Sequence, residues 1–418
     1  MPSVTAGGAW FDPDQVTCKA MIHARARHLA PPGPGGPRAA SAAADRRNGS
    51  MPDRRACRGP GSGSGARSPR WLRAAGRGFA VLFYRWLRLL MDVVVRVYFR
   101  RLETIGRARF PTDGAVLLVA NHPAAWTDVL VLDVALRRDL HFIAHETLFH
   151  PWIRGLFLRL FESLPVRYRH EGPLADARNR ETFDRCHALL RRGEAIAVFP
   201  EGMSGSDRGL RPLKTGAARL LLEHAAAGDP PPALIPVAIL YEDRTRFRTG
   251  VDLVVGAPIP TAGAIAHGRD PEAGAHVLTK EIARALEVAL ADAAANASAR
   301  HGAAPSGPLA YHAAAGLASL PAAVGMALHA LPTWSIEWAA RRLTGSPQRI
   351  SFGRIVAGLV LIPLWYGVLV VLAVGLGGEA WFVVPVAAPI LGALACREVD
   401  RRHARQAATR TPAEGKPA

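Results

Sequence analysis

From Ile355 to Leu376 the chain reads "IVAGLVLIPLWYGVLVVLAVGL", without one charged side chain. A helix rises about 1.5 Å per residue, so this run is long enough for the roughly 30 Å hydrocarbon layer of a bilayer. Gly377, Gly378 and Glu379 interrupt it, and "AWFVVPVAAPILGALAC", Ala380 to Cys396, resumes it. The two runs predict a C-terminal transmembrane helical hairpin over 351–400, turning at Gly377 and Gly378. Arginines flank both ends, which places them on the cytoplasmic side, and 401–418 reads as a disordered basic tail. The competing reading is a pair of buried core helices, for which so long an uncharged run is unusual.

The chain as a whole is strongly basic, with 52 Lys and Arg against 34 Asp and Glu and a net charge of +18. Such an excess suits nucleic acid, an anionic membrane face or a phosphorylated substrate. No nucleic-acid-binding signature accompanies it, whereas long apolar runs do, so an anionic membrane surface is the expected partner and nucleic acid is not. Residues 1–70, rich in Gly, Pro, Ser, Ala and Arg, read as a disordered basic arm without the pattern of a secretory signal, and Met51 offers a second start within it. From Trp71 to Arg101, arginines and apolar residues alternate at helical spacing, predicting an N-terminal amphipathic, membrane-associated helix; an ordinary surface helix has the same pattern. The four cysteines, Cys18, Cys57, Cys186 and Cys396, form no CxxC, so neither a zinc knuckle nor a disulfide framework is expected and a reducing compartment is.

Between these flanks, apolar strand-like runs alternate with helical ones. Strands are expected at "GAVLLVAN", Leu140 to Ala144, Pro165 to Arg167, "EAIAVF" and "LIPVAILY". Helices are expected at "WTDVLVLDVAL", Pro151 to Leu160, "ARNRETFDRCHALLRRG" with Gly193 as its C-cap, "KTGAARLLLEHAAAG" and Pro271 to Asn296. This is an α/β domain, taken as 102–298, with a mixed or mostly parallel sheet flanked by helices. Residues 299–350 read as a linker and interfacial helices.

Two polar clusters sit just past strand ends, where pockets of such folds form. In "ANHPAAWTD", Pro123 restricts His122 to extended geometry, and Asp128 lies early in the next helix. If Asp128 accepts the Nδ1 proton, Nε2 of His122 is left as a base. Taken alone, six positions of separation carry no meaning, and a capped helix beside a satisfied core histidine explains the pair better. In "FPEGMSGSDRGLRPLKTG", Glu201, Gly202, Ser204, Arg208, Arg211 and Lys214 precede a helix N-terminus that favours an anion. "LPVRYR" adds Arg167, a phosphate clamp or a solvated strand edge. His141, His145 and His150 lack metal-ligand spacing and no metal site is expected. No GxGxxG, GxxxxGK[ST] or GxSxG is present, which removes support for dinucleotide, nucleoside triphosphate and serine-hydrolase chemistry.

In order, "NHPAAWTD", "LPVRYR", "FPEG" through "RPLKTGA", and "LIPVAILY" resemble the four motif blocks of the PlsC-like glycerolipid acyltransferases, over about Phe83 to Ile259. The resemblance implies acyl transfer from acyl-CoA or acyl carrier protein, as co-substrate and without a cofactor, to a glycerol phosphate acceptor in phospholipid synthesis at a membrane. It implies His122 as general base with Asp128, and Arg167, Glu201, Gly202 and Pro236 about the acceptor. Five residues separate His122 from Asp128 where four are usual, and Met203 and Ser204 stand where Thr-Arg is common. Both departures resemble the fungal-type glycerol phosphate and dihydroxyacetone phosphate subgroup, although Ala124 replaces that subgroup's asparagine. Glycerol-3-phosphate and its 1-acyl derivative are the first acceptors expected; a lysophospholipid or other lipid acceptor, and a non-catalytic lipid-binding protein, are the alternatives.

Overall fold

The computed structural model describes residues 86–149, 163–167, 173–205, 209–268, 270–302, 319–376 and 383–408. The basic arm, the first half of the amphipathic helix and the helix expected at Pro151 lie outside the described residues. The chain divides into two compact units, 1–90 and 91–418. Residues 86–98 are helical (α1). In the first unit Trp86 and Leu89 are exposed; in the second, Val93 and Val97 are exposed while Met91, Val95 and Tyr98 are buried.

The second unit is built on a seven-stranded sheet. Its strands are β1 (Arg101–Ile105), β2 (Val116–Ala120), β3 (Leu140–His145), β4 (Leu164–Val166), β5 (Ala195–Val198), β6 (Ala233–Tyr241) and β7 (Gly250–Val255), in the order β1-β7-β6-β2-β5-β3-β4. All neighbours pair in parallel except β6 and β7. The sheet is therefore mixed, and β2 to β6 all point their C-terminal ends at one edge. β2, "VLLVA", is buried throughout, as a central parallel strand covered on both faces must be.

Helices α2 (Trp126–Leu136), α3 (Pro173–Arg191), α4 (Gly216–Ala226), the short α5 (Ala262–Ile265) and α6 (Pro271–Gly302) complete this part. On one face Leu117 and Val119 of β2 and Ile196 of β5 pack with Leu189 and Leu190 of α3, Leu220 and Leu221 of α4, and Leu278 and Ile282 of α6. Gly193 ends α3 at φ 73°, its N–H donating to the Leu190 carbonyl at 2.8 Å, in the C-capping role its position predicts.

The antiparallel half, β1 and β7, carries an ion cluster that ties α6 to the sheet. Buried Asp252 accepts from both Arg101 and Arg300, and Arg300 also reaches Glu103 at 2.8 Å. Burial alone would raise the Glu242 carboxyl, but ion pairs to Arg100 and Arg101 hold it down at about 2.

Four further helices follow: α7 (Ser319–Leu328), α8 (Ala330–Thr344), α9 (Ile350–Gly375) and α10 (Val383–Ala408). α7 packs on α10 and α8 on α9. With the 3-10 turn before it, α9 spans Pro347–Gly375 at a mean hydropathy of 2.6, and it is the one described helix long and apolar enough to cross a membrane. Val360, Leu364, Val371 and Val374 on α9, Trp334 and Trp338 on α8, and Val386 and Ile390 on α10 are exposed. The expected hairpin turn lies outside the described residues, and α10 takes up the second apolar run only from Val383. One expectation is corrected: the basic stretch read as a disordered tail from residue 401 is helical as far as Ala408. Arg401 and Arg402 pair with Glu398 one turn back, and Asp400 pairs with Arg248 of the domain, which holds this stretch in the helix.

Candidate active site

β2 ends at Ala120, and Asn121 fixes how the chain leaves it. Its amide donates to the Ile239 carbonyl at 2.9 Å while its oxygen accepts the Ile239 N–H at 2.7 Å, stitching the loop to β6. His122 follows. Its backbone N–H donates to Oε1 of Glu201 at 2.8 Å, and its carbonyl accepts from the Gly205 N–H at 2.9 Å, so the loop after β5 grips this residue on both sides.

The residue additional to the usual spacing is absorbed in a turn. Thr127 N–H donates to the Ala124 carbonyl at 3.1 Å, and Ala125 between them adopts φ 50°, ψ −125°. That is the second position of a type II′ turn, where glycine is normally required. Asp128 therefore stands at the third position of α2 and reaches back over the N-terminus, accepting the Ala124 N–H on Oδ2 at 2.8 Å.

The same Oδ2 lies 2.9 Å from His122 Nδ1, and Oδ1 accepts the Tyr241 hydroxyl at 2.7 Å. Burial, and then the neighbouring Asp128 charge, push the Tyr241 phenol well above its ordinary value of 10.0, so it remains a donor. With fixed donors on both of its oxygens, the buried Asp128 side chain is an acceptor toward His122, Nδ1 carries the proton, and the lone pair is on Nε2. Phe199 stacks on the imidazole, 3.9 Å between centroids and 14° between planes, which holds the ring in that pose.

His122 lines a cavity of about 1280 Å³ at the C-terminal edge of the sheet. This exceeds the roughly 300–1,000 Å³ of a typical small-molecule site. Of the residues expected from sequence, Arg167, Gly202, Ser204 and Lys214 also line it. Arg167 is held by Glu146, with one contact at 3.0 Å, and by Asn179, which accepts its N–H at 2.9 Å. Lys214 has no ion pair among the described residues, and neither has Arg180, another lining cation.

Three expected residues stand elsewhere. Glu201 is buried and is not among the residues lining the cavity, its second oxygen accepting the Arg211 N–H at 3.3 Å, so both oxygens face backbone donors. Arg211 donates to the Gly205 carbonyl at 2.6 Å and bolts the loop shut on itself. Pro236 sits inside β6 facing Gly256, where an added Cβ would come 2.8 Å from its ring. Arg208 lies outside the described residues.

Sequence reading passed over Tyr241, Phe199, Asn121 and Arg180. Tyr241 closes the fourth quoted block, yet nothing along the chain ties it to a carboxylate 113 positions away. Cys186 is buried on α3 with its thiol pushed up to about 12 by burial, the wrong state for a nucleophile. His141 is buried in β3, His145 bonds Thr147 at 2.8 Å, and His150 lies outside the described residues. Among the described residues no cluster of His, Cys, Asp and Glu could hold a metal ion.

The family model described as acyltransferase matches residues 101–240, the stretch that holds His122, Asp128, Phe199, Glu201 and Lys214 and ends one residue before Tyr241. These residues are an acyltransferase domain. Over 122 residues the chain is 33% identical to an uncharacterized protein of Mycobacterium tuberculosis, covering 27% of this chain and 30% of that one. Over 87 residues it is 36% identical to glycerol-3-phosphate O-acyltransferase 2 of Saccharomyces cerevisiae, covering 20% of this chain and 12% of the yeast protein. The chain thus spans under a third of the length of these curated relatives. Among solved structures it is similar to the 1-acyl-sn-glycerophosphate acyltransferase PlsC of Thermotoga maritima, at 15% identity and a TM-score of 0.34, covering 48% of this chain and 78% of that one.

Proposed function

We propose that this protein transfers a fatty acyl group from an acyl thioester to a hydroxyl of a glycerol phosphate acceptor at a membrane surface. The observation that carries the reading is the His122–Asp128–Tyr241 chain, built on the acyltransferase domain beside a cavity whose lining includes Arg180 and Lys214, both without an ion pair among the described residues. His122 Nε2 takes the proton as the acceptor oxygen attacks the thioester carbonyl, and Asp128 stabilises the imidazolium that forms. Collapse of the tetrahedral adduct breaks the carbon–sulfur bond, and the imidazolium returns its proton to the departing thiolate. Ester and free thiol are the products, and no acyl-enzyme is required.

The acceptor phosphate is assigned to Lys214 and Arg167, with the backbone at Gly202 and Ser204 beside them; Glu201 acts by holding His122. The five-residue spacing and the similarity to the yeast enzyme named for glycerol-3-phosphate support that molecule as acceptor, ahead of its 1-acyl derivative. The donor is acyl-CoA or an acyl carrier protein. The reading places α9 across the bilayer, with α10 as the returning arm of the hairpin and the catalytic domain on the cytoplasmic side. The exposed tryptophans of α8 lie at the interface, where amphipathic rings are favoured.

The test incubates membranes holding the full chain with labelled acyl-CoA and, separately, glycerol-3-phosphate, dihydroxyacetone phosphate and lysophosphatidate. Product is expected with glycerol-3-phosphate and is lost on His122→Ala. Near-wild-type turnover by that variant refutes the mechanism, and product with lysophosphatidate alone refutes the acceptor.

A further inference from the structure

One side chain in the cavity wall comes from far outside the acyltransferase domain. Arg349 ends the 3-10 turn Pro347–Arg349 that leads into α9, and it lines the same cavity as His122 and Lys214. Contacts on either side of it lock this turn to the catalytic loops. Gln348 packs so closely on Gly205 that a Cβ there would lie 2.4 Å from its Cγ, and the Gly205 N–H is the donor to the His122 carbonyl. Ser351 donates to the Arg244 carbonyl at 2.5 Å, and the Arg244 guanidinium donates to the Pro123 carbonyl at 3.2 Å. Phe352 stacks on Trp126, the residue after the strained Ala125, with centroids 5.6 Å apart. The base of α9 therefore touches both loops that hold the histidine.

Arg349 itself is exposed and has no ion pair among the described residues. Among the described residues the carboxylate lining the cavity is Glu223, which pairs with Arg219 at 3.3 Å and not with Arg349. A guanidinium fork left open toward a cavity suits a phosphate, which it can bind through two parallel N–H donors.

We infer that Arg349 binds a phosphate group of a substrate, so that the apolar helix and not the acyltransferase domain alone completes the site. This rests on the acyl-transfer reading. Two substrates of that reaction carry phosphate: the acceptor, and the coenzyme A of the donor.

The test uses the full chain in detergent micelles, as wild type, Arg349→Ala and Arg349→Lys. Arg349→Ala is expected to raise one KM roughly tenfold, the acceptor's or that of acyl-CoA, with kcat within about twofold; Arg349→Lys recovers part of the loss. Which KM moves identifies the phosphate. Unchanged values for both, or a fall in kcat alone that lysine does not rescue, overturn the inference. Equilibrium binding of glycerol-3-phosphate and of free coenzyme A to His122→Ala, with and without Arg349→Ala, needs no turnover. A roughly tenfold loss of one of these affinities upholds the phosphate site even if no acyl transfer is found, and equal affinities refute it even if transfer is found.

Discussion

Replacing Asp128 by asparagine separates the charge of this residue from its orienting role. Oδ2 accepts from both the Ala124 N–H and His122 Nδ1, while Oδ1 accepts from Tyr241. A backbone N–H cannot become an acceptor, so the carboxamide oxygen must take the Oδ2 place and the amide nitrogen must face Tyr241, whose oxygen can accept. The His122 tautomer is thereby kept, and what disappears is the negative charge beneath the imidazolium. Two unit charges about 4 Å apart attract by about 4 kcal/mol at an effective dielectric of about 20. At about 1.4 kcal/mol per decade of rate, kcat falls on the order of 10²- to 10³-fold with the acceptor KM little changed.

Asp128→Ala removes orientation as well, and a further loss of about tenfold is expected. Initial rates of thiol release from acyl-CoA, measured over a range of acceptor concentrations, give both constants. An Asp128→Asn kcat within about threefold of wild type refutes the charge argument. Equal losses for Asn and Ala refute the claim that Ala124 fixes the amide's orientation.

Glu201→Gln leaves one oxygen to serve two backbone donors, a cost of about 1–3 kcal/mol paid in the placement of His122. Kinetics should show a lower kcat at nearly constant acceptor KM; a raised KM with kcat intact would return Glu201 to the substrate-binding role read from sequence. Burial, reinforced at His187 by its neighbour His224, holds both histidines below the ordinary 6.5, with their Nδ1 atoms 3.2 Å apart. The folded state then binds fewer protons than the unfolded one, so stability is full above pH 6.5 and declines as pH falls through the lowered values. Thermal unfolding between pH 7.5 and about 5 should show that decline, and His187→Gln should flatten it; identical slopes would refute the linkage.

The central parallel strands were legible because burial on both faces leaves continuous apolar runs such as "VLLVA", and Gly193 was legible because a left-handed cap admits little else. The β1 and β7 edge was not. "RLETI" carries an arginine and a glutamate that, as sequence, continue the preceding basic helix, and only the ion cluster with Asp252 and Arg300 makes them strand residues. At the site, His122 and Asp128 lie in one short loop and could be paired on paper. Tyr241 and Arg349 could not, since the sheet order and the docking of α9 bring them in from remote positions. Glu201 was legible as a residue, whereas its hydrogen bonds to the His122 and Arg211 backbone were not, because a carboxylate past a strand end looks the same whether it meets a ligand or a backbone N–H.

The additional residue between His122 and Asp128 allows a test of how the spacing is tolerated. Ala125 at φ 50°, ψ −125° sits in a region that costs an L-residue about 1–3 kcal/mol. Glycine there removes the strain but adds about 0.5–1 kcal/mol of chain entropy to the cost of folding, and loses roughly 0.8 kcal/mol for a buried methyl. Ala125→Gly should therefore leave stability between about 0.8 kcal/mol lower and about 1.7 kcal/mol higher, whereas Ala125→Val, β-branched in the same conformation, should destabilise clearly. Denaturant unfolding of the two variants decides the matter: glycine more destabilising than valine would mean that the turn is not strained as described. With glycine tolerated and kcat preserved, the spacing is a property of the turn alone, because the hydrogen bonds from Ala124, His122 and Tyr241 hold the Asp128 carboxylate in register whatever side chain occupies position 125.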